Sequence, residues 1–311
     1  MIAQERERSG IAFIAIDWGT TSARAYAVDA SGAVTATRHA PLGVQQIQGA
    51  DFAQALDQLL GDWATLEIPR FAAGMIGSRQ GWIEAPYVDC PATLDVLAQH
   101  VVWTPARELA IVPGLLYRDE SGVPDVMRGE ETQIAGMLDD AGDDFIAVLP
   151  GTHSKWVHVQ RGRVAAFQTF MTGEAFAVLM EHSILGRLAA RVANDAAGSE
   201  AFAAGVAYGS AQAGLLHATF GARTLALTGA LAAHDVPGWL SGCLIGNEIA
   251  AARGWLAQRA ATIDVVRVIG SSALVGRYAT ALPAVGVRAV PGPDDAVVRG
   301  LIRIGRHAGL L

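Results

Sequence analysis

The stretch Phe13-Ile-Ala-Ile-Asp-Trp-Gly-Thr-Thr-Ser-Ala-Arg-Ala-Tyr-Ala-Val28 decides the fold of this chain. An apolar run ends in a single carboxylate, Asp17, and a short turn then leads into a segment with a period of two residues. This pattern predicts two antiparallel strands that are joined by the turn. It excludes the two commoner nucleotide-binding loops, G-x-x-x-x-G-K-[ST] and G-x-G-x-x-G, because both of those lead from a strand into a helix.

The turn itself has the groups that bind phosphate. Backbone N–H groups and hydroxyls donate hydrogen bonds to phosphate oxygens, and glycine lets the backbone approach closely. A carboxylate at the end of the preceding strand can hold Mg²⁺ beside those phosphates, usually through water. We therefore predict that Asp17 holds the metal ion and that the phosphate-binding residues are Gly19, Thr20, Thr21 and Ser22.

The same pattern occurs a second time, in Phe145-Ile-Ala-Val-Leu-Pro-Gly-Thr-His-Ser-Lys-Trp-Val157. Six residues are identical at constant spacing: Phe13/Phe145, Ile14/Ile146, Ala15/Ala147, Gly19/Gly151, Thr20/Thr152 and Ser22/Ser154. An internal repeat of this kind predicts two similar half-molecules that face one another. Asp17 is replaced by Leu149, so only the first copy has the metal carboxylate, while the second copy gains Lys155.

Two Gly-Thr hairpins followed by Val268-Ile-Gly-Ser-Ser-Ala-Leu274 resemble the sugar-kinase, hexokinase and actin superfamily. Three further stretches resemble, more narrowly, the 2-keto-3-deoxy-galactonokinase (2-dehydro-3-deoxygalactonokinase) family: Gly74-Met-Ile-Gly-Ser-Arg-Gln-Gly-Trp82, Met127-Arg-Gly-Glu-Glu-Thr-Gln133 and Leu149-Pro-Gly-Thr-His-Ser-Lys-Trp156. The likeness extends from Phe13 to the C-terminal helix. It implies an α/β fold of the two-lobed, actin-like ATPase (ribonuclease H-like) class, with duplicated mixed sheets and a cleft between the lobes.

The resemblance also implies sites for ATP and Mg²⁺, with the phosphates between the two hairpins. The implied residues are Gly151, Thr152, His153, Ser154 and Lys155 for phosphate, and Gly270, Ser271 and Ser272 for adenosine. His153 is either a proton carrier or a hydrogen-bonding loop residue, and Lys155 either contacts the terminal phosphate or begins an exposed strand. Glu248 lies in an apolar helical stretch, where it faces either the nucleotide or solvent.

Glu130 and Glu131 follow Gly129 at the start of a helix that is predicted to run to Leu138. The helix dipole alone explains two acids in a first turn. In the superfamily, however, a catalytic carboxylate lies at the start of the helix before the second phosphate hairpin, often after a glycine and more often as Asp. Neighbouring helix residues point about 100° apart, so only one of the two acids is expected to be the base, and Glu130 is favoured.

A polar loop follows the predicted buried strand Arg70–Ile76. Ligands of α/β proteins tend to bind outside the carboxyl ends of strands, although a solvated surface turn would have the same composition. With the family resemblance, the predicted substrate-binding residues are Ser78, Arg79, Gln80, Trp82 and Arg128. Arg79 is the first choice for the carboxylate of a sugar acid because its guanidinium is a forked, permanent cation, and Arg128 is the alternative.

Helical spacing also predicts helices over Asp51–Leu66, with Asp51 as N-cap, and over Gly173–Leu188, Ser199–Phe220 and Trp239–Gln258. The polar stretch Asp139–Asp144 is the predicted domain boundary. It divides the chain into an N-terminal lobe, 1–140, with the first phosphate hairpin and the sugar-acid site, and a C-terminal lobe, 141–311, with the second hairpin and the adenosine site.

Composition restricts the class of protein. The chain has 311 residues, of which 51% are hydrophobic and 17% charged, as expected for a compact soluble globule. A net charge of −7 disfavours a nucleic-acid partner, and two isolated cysteines are too few for a disulfide framework or a zinc site. The sequence has neither a signal-peptide pattern nor an apolar run of about 18 residues, so we expect a cytoplasmic protein without a membrane partner.

Together these features predict an enzyme that binds small molecules. The resemblance implies ATP-dependent phosphorylation of the 6-hydroxyl of 2-keto-3-deoxy-galactonate, giving 2-keto-3-deoxy-6-phosphogalactonate. A nucleotide or polyphosphate hydrolase of the same fold is one alternative, and a non-catalytic, sugar-responsive binding protein is another. No motif reports the galacto or gluco configuration of the substrate, and both a monomer and a homo-oligomer stay open.

Overall fold

The structure is a computed structural model that describes residues 10–47, 49, 51–106, 108–189, 200–259 and 261–311. The elements of the first part of the chain are β1 (Phe13–Trp18), β2 (Ala23–Val28), β3 (Val34–Ala40), α1 (Phe52–Leu60), β4 (Arg70–Gly74), β5 (Tyr87–Asp89), α2 (Leu94–Gln99), β6 (Val102–Trp103), β7 (Ala110–Ile111), β8 (Gly114–Arg118), β9 (Pro124–Met127) and α3 (Glu130–Ala141). Those of the second part are β10 (Phe145–Leu149), β11 (Ser154–Gln160), β12 (Arg163–Phe170), α4 (Thr172–His182), α5 (Glu200–Ala211), α6 (Leu215–Leu227), α7 (Val236–Ala257), β13 (Val265–Val268), α8 (Ser272–Ala284), β14 (Arg288–Pro291) and α9 (Ala296–His307).

The chain forms two compact units. Unit 1 takes in the described residues up to Asp144, together with Val159–Ala166 and Asp295–Leu311. Unit 2 comprises Phe145–His158 and Phe167–Asp294. The first change of unit therefore falls at the end of the predicted linker, but two later segments belong to unit 1 and not to the predicted C-terminal lobe.

The repeat that is visible in the sequence is also present in the two larger sheets. Their strand orders are β3-β2-β1-β4-β7-β6 and β12-β11-β10-β13-β14. The first hairpin is antiparallel, as predicted, with Asp17 opposite Arg24. In each sheet the first strand of the meander also pairs in parallel with a later strand, β1 with β4 and β10 with β13. A third sheet, in the order β5-β8-β9, leads directly to Arg128 and α3.

The core of unit 1 lies between the β1–β2 face and α1. Ile14, Ile16 and Trp18 alternate along β1 and point into this core. The side chain of Asp51 accepts a hydrogen bond of 3.0 Å from the N–H of Gln54, which confirms the predicted N-cap. The α-helix ends at Leu60, earlier than predicted, because Gly61 adopts a positive φ of 54° and a 3₁₀ helix follows.

Close helix packing organises unit 2. A Cβ added to Gly205 on α5 would lie 2.1 Å from the carbonyl oxygen of Trp239, and one added to Gly242 on α7 would lie 2.1 Å from that of Phe202. These glycines let the two backbones touch. The predicted helix Ser199–Phe220, whose first residue lies outside the described residues, is wrong in one respect, since α5 ends at Ala211 and a separate helix, α6, begins at Leu215.

The C-terminal helix α9 packs on α3 of unit 1 by the same principle. A Cβ on Gly300 would lie 1.8 Å from the carbonyl oxygen of Thr132, and one on Gly136 would lie 1.9 Å from that of Ala296. Ion pairs of Arg299 and Arg303 with acids at the end of α3 support this contact. This packing is the physical reason why Asp295–Leu311 belongs to unit 1.

Candidate active site

The first predicted phosphate turn packs against the loop that contains Gly43. The N–H of Gly19 donates to the carbonyl oxygen of Ser22 at 2.9 Å. A Cβ on Gly43 would lie 2.2 Å from the carbonyl carbon of Thr21, so only glycine lets this loop approach. Within the described part of the chain, the N–H groups of Thr20, Thr21 and Ser22 donate no hydrogen bond. They are therefore available to an anion.

The second turn is supported in a similar way, from the start of α4. The N–H of Glu174 donates to the carbonyl oxygen of Thr152 at 3.0 Å, and a Cβ on Gly173 would lie 2.3 Å from the carbonyl oxygen of Gly151. The Nε2 atom of His153 lies 2.5 Å from a carboxylate oxygen of Glu174. This pair favours the interpretation of His153 as a hydrogen-bonding loop residue.

Ser154 and Lys155 are both buried. The hydroxyl of Ser154 lies 3.2 Å from the hydroxyl of Tyr278, so the serine side chain faces the interior of unit 2. Lys155 is only 6% exposed, and the interpretation of this residue as an exposed strand position is wrong. The other interpretation, contact of Lys155 with the terminal phosphate, stays a prediction.

Asp17 lies near the end of β1, next to the end of β4. Its register partners are Arg24 on β2 and Ala73 on β4. Burial raises the pKa of the Asp17 carboxyl above its ordinary value, while the positive charge of Arg24 acts in the opposite direction. A Cβ on Gly129, just before α3, would lie 3.2 Å from the Cα of Gly74 at the end of β4. The start of α3 and the end of β1 therefore lie at one edge of this sheet.

Glu130 and Glu131 differ sharply in environment. Glu131 is 1% exposed, and its carboxylate accepts hydrogen bonds from the N–H of Gly129 at 2.6 Å and from the hydroxyl of Thr132 at 2.9 Å. Burial, and to a smaller extent the charge of Glu130, raises the pKa of Glu131 to about 8. Glu130 is partly exposed and accepts a hydrogen bond of 3.0 Å from the N–H of Arg128. Only Glu130 is both accessible and at the edge that holds Asp17.

The polar loop after β4 folds back on itself. The N–H of Trp82 donates to the carbonyl oxygen of Ile76, and that of Ala85 donates to the carbonyl oxygen of Gly77, both at 2.9 Å. The ring of Trp82 stacks on that of Phe52, with centroids 6.3 Å apart. Trp82 therefore contributes to the core of unit 1, and the prediction that it contacts substrate is not supported by its position.

The two candidate arginines have opposite environments. The side chain of Arg79 is 88% exposed, and its Nε atom lies 3.6 Å from Glu84. Gln80 is exposed as well. Arg128 is only 9% exposed and donates from Nη2 to the carbonyl oxygen of Ala85 at 2.8 Å. The solvated-turn interpretation therefore fits Arg79 and Gln80 better than substrate binding does.

In unit 2 a pocket of about 330 Å³ lies beside the second turn and α8. Its polar lining includes Ser154, Thr172, Ser241 and Arg277. Gly270 lies next to this turn, because a Cβ added to it would be 3.2 Å from the carbonyl oxygen of Pro150. The predicted adenosine residues, Gly270, Ser271 and Ser272, are exposed just before and at the start of α8.

A buried glutamate connects the walls of this pocket. The carboxylate of Glu248 accepts hydrogen bonds from Trp156 Nε1 at 2.7 Å and from Tyr278 Oη at 2.8 Å, and a further one from the hydroxyl of Thr172. These donors come from β11, α8 and the start of α4. The interpretation of Glu248 as an exposed helix position is therefore wrong, and its carboxylate joins β11 and α4 to α8.

Comparison with known proteins decides the family. A sequence model described as 2-keto-3-deoxy-galactonokinase matches residues 17–304. The chain belongs to the 2-keto-3-deoxy-galactonokinase family.

Relatives in this family match the chain over nearly its whole length. A Rhizobium meliloti protein assigned as 2-dehydro-3-deoxygalactonokinase DgoK1 is 40% identical over 301 residues, which cover 94% of this chain and 96% of the relative. The 2-dehydro-3-deoxygalactonokinase of Escherichia coli is 33% identical over 296 residues, which cover 95% and 98%. The prefixes 2-keto and 2-dehydro denote the same carbonyl group, so the family assignment made from the motifs is confirmed.

Solved structures agree with this assignment. A crystal structure of a Sinorhizobium meliloti protein assigned to the same activity has a TM-score of 0.86 and 39% identity, and covers 94% of this chain and 98% of its own. Component A of (R)-2-hydroxyglutaryl-CoA dehydratase from Acidaminococcus fermentans has a TM-score of 0.50 at 12% identity, a likeness of fold alone. The predicted α/β fold of the actin-like ATPase class, with duplicated mixed sheets, is confirmed.

Magnesium needs few protein ligands. No group of three or more His, Cys, Asp or Glu side chains among the described residues could hold a metal ion. Mg²⁺ usually takes one or two carboxylates and completes its shell with water and substrate phosphates, so Asp17 fits this ion.

The described helices also include none that is long and apolar enough to span a bilayer.

Two residues that line the pocket in unit 2 were not predicted from the sequence. Tyr278 and Arg277 lie on α8 and line the pocket in unit 2. The hydroxyl of Tyr278 contacts both Ser154 and Glu248. No sequence signal points to these contacts, since the partners are 124 and 30 residues away.

Proposed function

We propose that the protein is an ATP-dependent kinase that phosphorylates the 6-hydroxyl of 2-keto-3-deoxy-galactonate, giving 2-keto-3-deoxy-6-phosphogalactonate. The observation that carries this proposal is the extent of the family match, because residues 17–304 include every element of the candidate site. Among the described residues, no feature favours the same-fold hydrolase or the non-catalytic binding protein over this reaction. We place the reaction in the cytoplasm, where ATP is available.

Unit 2 is proposed to bind the nucleotide. The phosphates would be held by the turn Gly151–His153 and by Lys155, and the adenosine by Gly270–Ser272 at the start of α8, where helix N–H groups add donors. The first turn, in unit 1, would bind phosphate oxygens through the N–H groups of Thr20 to Ser22 that have no partner among the described residues. Phosphoryl transfer depends mainly on such positioning and charge stabilisation.

Glu130 is proposed to be the general base. Its carboxylate would accept the proton of the 6-hydroxyl while the hydroxyl oxygen bonds to the γ-phosphorus and the bond to the β-phosphate oxygen breaks, which releases ADP. A base must be ionised and accessible, and Glu131 is neither at pH 7, since it is buried and its pKa is raised to about 8. Glu131 instead holds the N–H of Gly129 and so fixes the start of α3.

Asp17 is proposed to hold Mg²⁺. When bound, the ion would neutralise negative charge on the phosphates. Burial raises the pKa of Asp17, and a cation would stabilise its ionised form. Asp17 is the only carboxylate in either hairpin turn or the strand before it, so neither hairpin offers a substitute.

The test is incubation of the protein with ATP, Mg²⁺ and either 2-keto-3-deoxy-galactonate or its gluco epimer, followed by separation of the products. We expect a sugar phosphate, with the galacto compound as the better substrate. Release of phosphate without sugar phosphate would identify the hydrolase, and the absence of both products would favour the binding protein.

The assignment of the base is tested with Glu130→Gln and, as its matched control, Glu131→Gln. Removal of a general base typically reduces the rate about 10²- to 10⁴-fold. We expect this loss for Glu130→Gln at unchanged substrate affinity, and near-normal turnover for Glu131→Gln. The reverse order would show that the buried acid is the base.

A further inference from the structure

The guanidinium of Arg128 is fixed beneath the loop that follows β4. Its Nη2 atom donates to the carbonyl oxygen of Ala85 at 2.8 Å, and its central carbon lies 4.4 Å from the ring centroid of Tyr87. The loop approaches so closely that a Cβ on Gly77 would lie 3.0 Å from Nη1. The position of the charge is therefore set before any ligand arrives.

Several polar atoms at this place lack partners. Among the described residues, the Nε and Nη1 atoms of Arg128 and the hydroxyl oxygen of Ser78 are buried without a hydrogen bond. The ion pairs among the described residues include none of Arg128, and Glu130, two positions later, accepts a hydrogen bond from the backbone N–H of Arg128. Buried polar groups are nearly always hydrogen-bonded, and an unpaired buried charge is costly. Such atoms indicate a missing ligand.

The chemistry of the missing ligand follows from these donors. A guanidinium and a hydroxyl together suit a carboxylate or another small oxyanion, and arginine binds a carboxylate with strong, charge-assisted hydrogen bonds. The exposed cation on the same loop, Arg79, has the opposite character, because it is surrounded by water and already faces Glu84. Hydrogen bonds from a solvated arginine contribute little to binding.

We propose that Arg128 and Ser78 form the subsite for the carboxylate end of the sugar acid. This inference rests on the proposed function for the identity of the substrate, and it moves carboxylate recognition from Arg79 to Arg128. Because these donor atoms are buried, with Gly77 close to Nη1, a ligand reaches them only when the loop that contains Gly77 and Ser78 moves. The loop is thus part of the subsite, but its own arginine is not the cation that binds.

The kinetic test compares Arg128→Met with Arg79→Met and with a control on the neighbouring sheet, Arg118→Met. Arg118 forms an exposed ion pair with Asp89 and is far less buried than Arg128. We expect the KM for the sugar acid to rise about 10- to 100-fold in Arg128→Met, as for a lost hydrogen bond to a charged group, with the KM for ATP unchanged. The other two variants should change neither constant.

Ser78→Ala separates binding from folding. Its hydroxyl has no partner among the described residues, so its removal should leave the thermal midpoint unchanged or slightly higher. The same change should raise the KM for the sugar acid several-fold. If Arg128→Met does not fold, Ser78→Ala and the charge-conserving Arg128→Lys still test the subsite.

A direct binding test uses pyruvate, which has the 2-keto carboxylate without the polyol, and its neutral methyl ester. Pyruvate should bind the wild-type protein by calorimetry and inhibit the reaction, whereas the ester should do neither, and Arg128→Met should lose pyruvate binding. The proposal is overturned if Arg128→Met and Ser78→Ala both retain their affinity for the sugar acid and for pyruvate. It is also overturned if only Arg79→Met loses this affinity. Arg128-dependent pyruvate binding without any sugar phosphate would support the subsite and refute the proposed reaction instead.

Discussion

Replacement of Glu131 by glutamine should stabilise the protein, and by more as the pH rises. The carboxyl group is buried at the start of α3, and burial is the main cause that raises its pKa to about 8. Glutamine has nearly the same shape. Its amide oxygen can accept the hydrogen bond of the Gly129 N–H, and its amide nitrogen can donate to the hydroxyl of Thr132, so both contacts are kept. The variant therefore removes an ionisable group and little else.

The magnitude follows from proton linkage. Glu131 titrates near 4.5 in the unfolded chain and at about 8 in the folded protein. Below pH 4.5 both states are protonated and the group has no effect on stability. Between the two values the unfolded state releases its proton first, which lowers the free energy of unfolding by about 1.4 kcal/mol per pH unit. The loss is about 3 kcal/mol at pH 7 and levels off near 5 kcal/mol above pH 8.

Thermal unfolding of wild type and Glu131→Gln between pH 5 and 8.5 measures this difference. For domains of 150–250 residues, 1 kcal/mol corresponds to about 2–4 °C. The variant should therefore unfold about 6–12 °C higher at pH 7 and only slightly higher at pH 5. Glu120→Gln, in an exposed turn, is the control and should change the unfolding temperature little. If the difference in unfolding temperature between Glu131→Gln and wild type did not change with pH, burial would not be the cause of the raised pKa. The same conclusion would follow if the variant were less stable than wild type at pH 8.

Three further predictions concern other parts of the chain. Asp17→Asn should abolish turnover but leave sugar-acid binding intact, and near-normal activity at ordinary Mg²⁺ concentrations would remove Asp17 from the site. Glu248→Ala leaves three hydrogen-bond donors without their acceptor, so it should lower the free energy of unfolding by about 2–4 kcal/mol and raise the KM for ATP. Glu248→Gln should leave both quantities unchanged. Equal effects of the two variants would show that these hydrogen bonds do not stabilise the protein. Gly300→Ala should lower the free energy of unfolding by more than about 2 kcal/mol in denaturant titrations, because its Cβ would overlap Thr132. Gly254 has open space around it, so the control Gly254→Ala should stabilise α7 by about 1 kcal/mol.

The hairpins and their repeat were predictable because their signals are local. A strand of period two, a Gly-Thr turn and a second strand are specified within about 16 residues, and the register of β1 with β2 follows from that pattern. The N-cap of α1 is specified by Asp51 and the residue three positions later. The predicted length of that helix was wrong because one glycine, Gly61, changes the backbone direction.

The carboxylate subsite was not predictable from composition alone. Both arginines, Arg79 and Arg128, lie in family motifs, and the more obvious choice was the one in the polar loop. Which of them is buried depends on how the loop folds back over Arg128 and on the contact with Ala85, 43 residues earlier in the chain. Residue type reports the chemistry that a side chain can perform, but only packing decides which of two equal side chains is desolvated and therefore binds strongly.

The same reasoning separates the two copies of the hairpin. At the equivalent positions, the first copy has Asp17 opposite Arg24, and the second copy has Leu149 and Trp156. The charged pair holds an ionisable carboxylate at the strand end, where a metal ion can use it. The apolar pair excludes a metal ion, and the indole N–H of Trp156 instead donates to Glu248. The first hairpin therefore has the carboxylate that a metal ion needs, whereas the second hairpin is held by a hydrogen bond to α7 of unit 2. For that reason we propose a metal site at the first hairpin and none at the second.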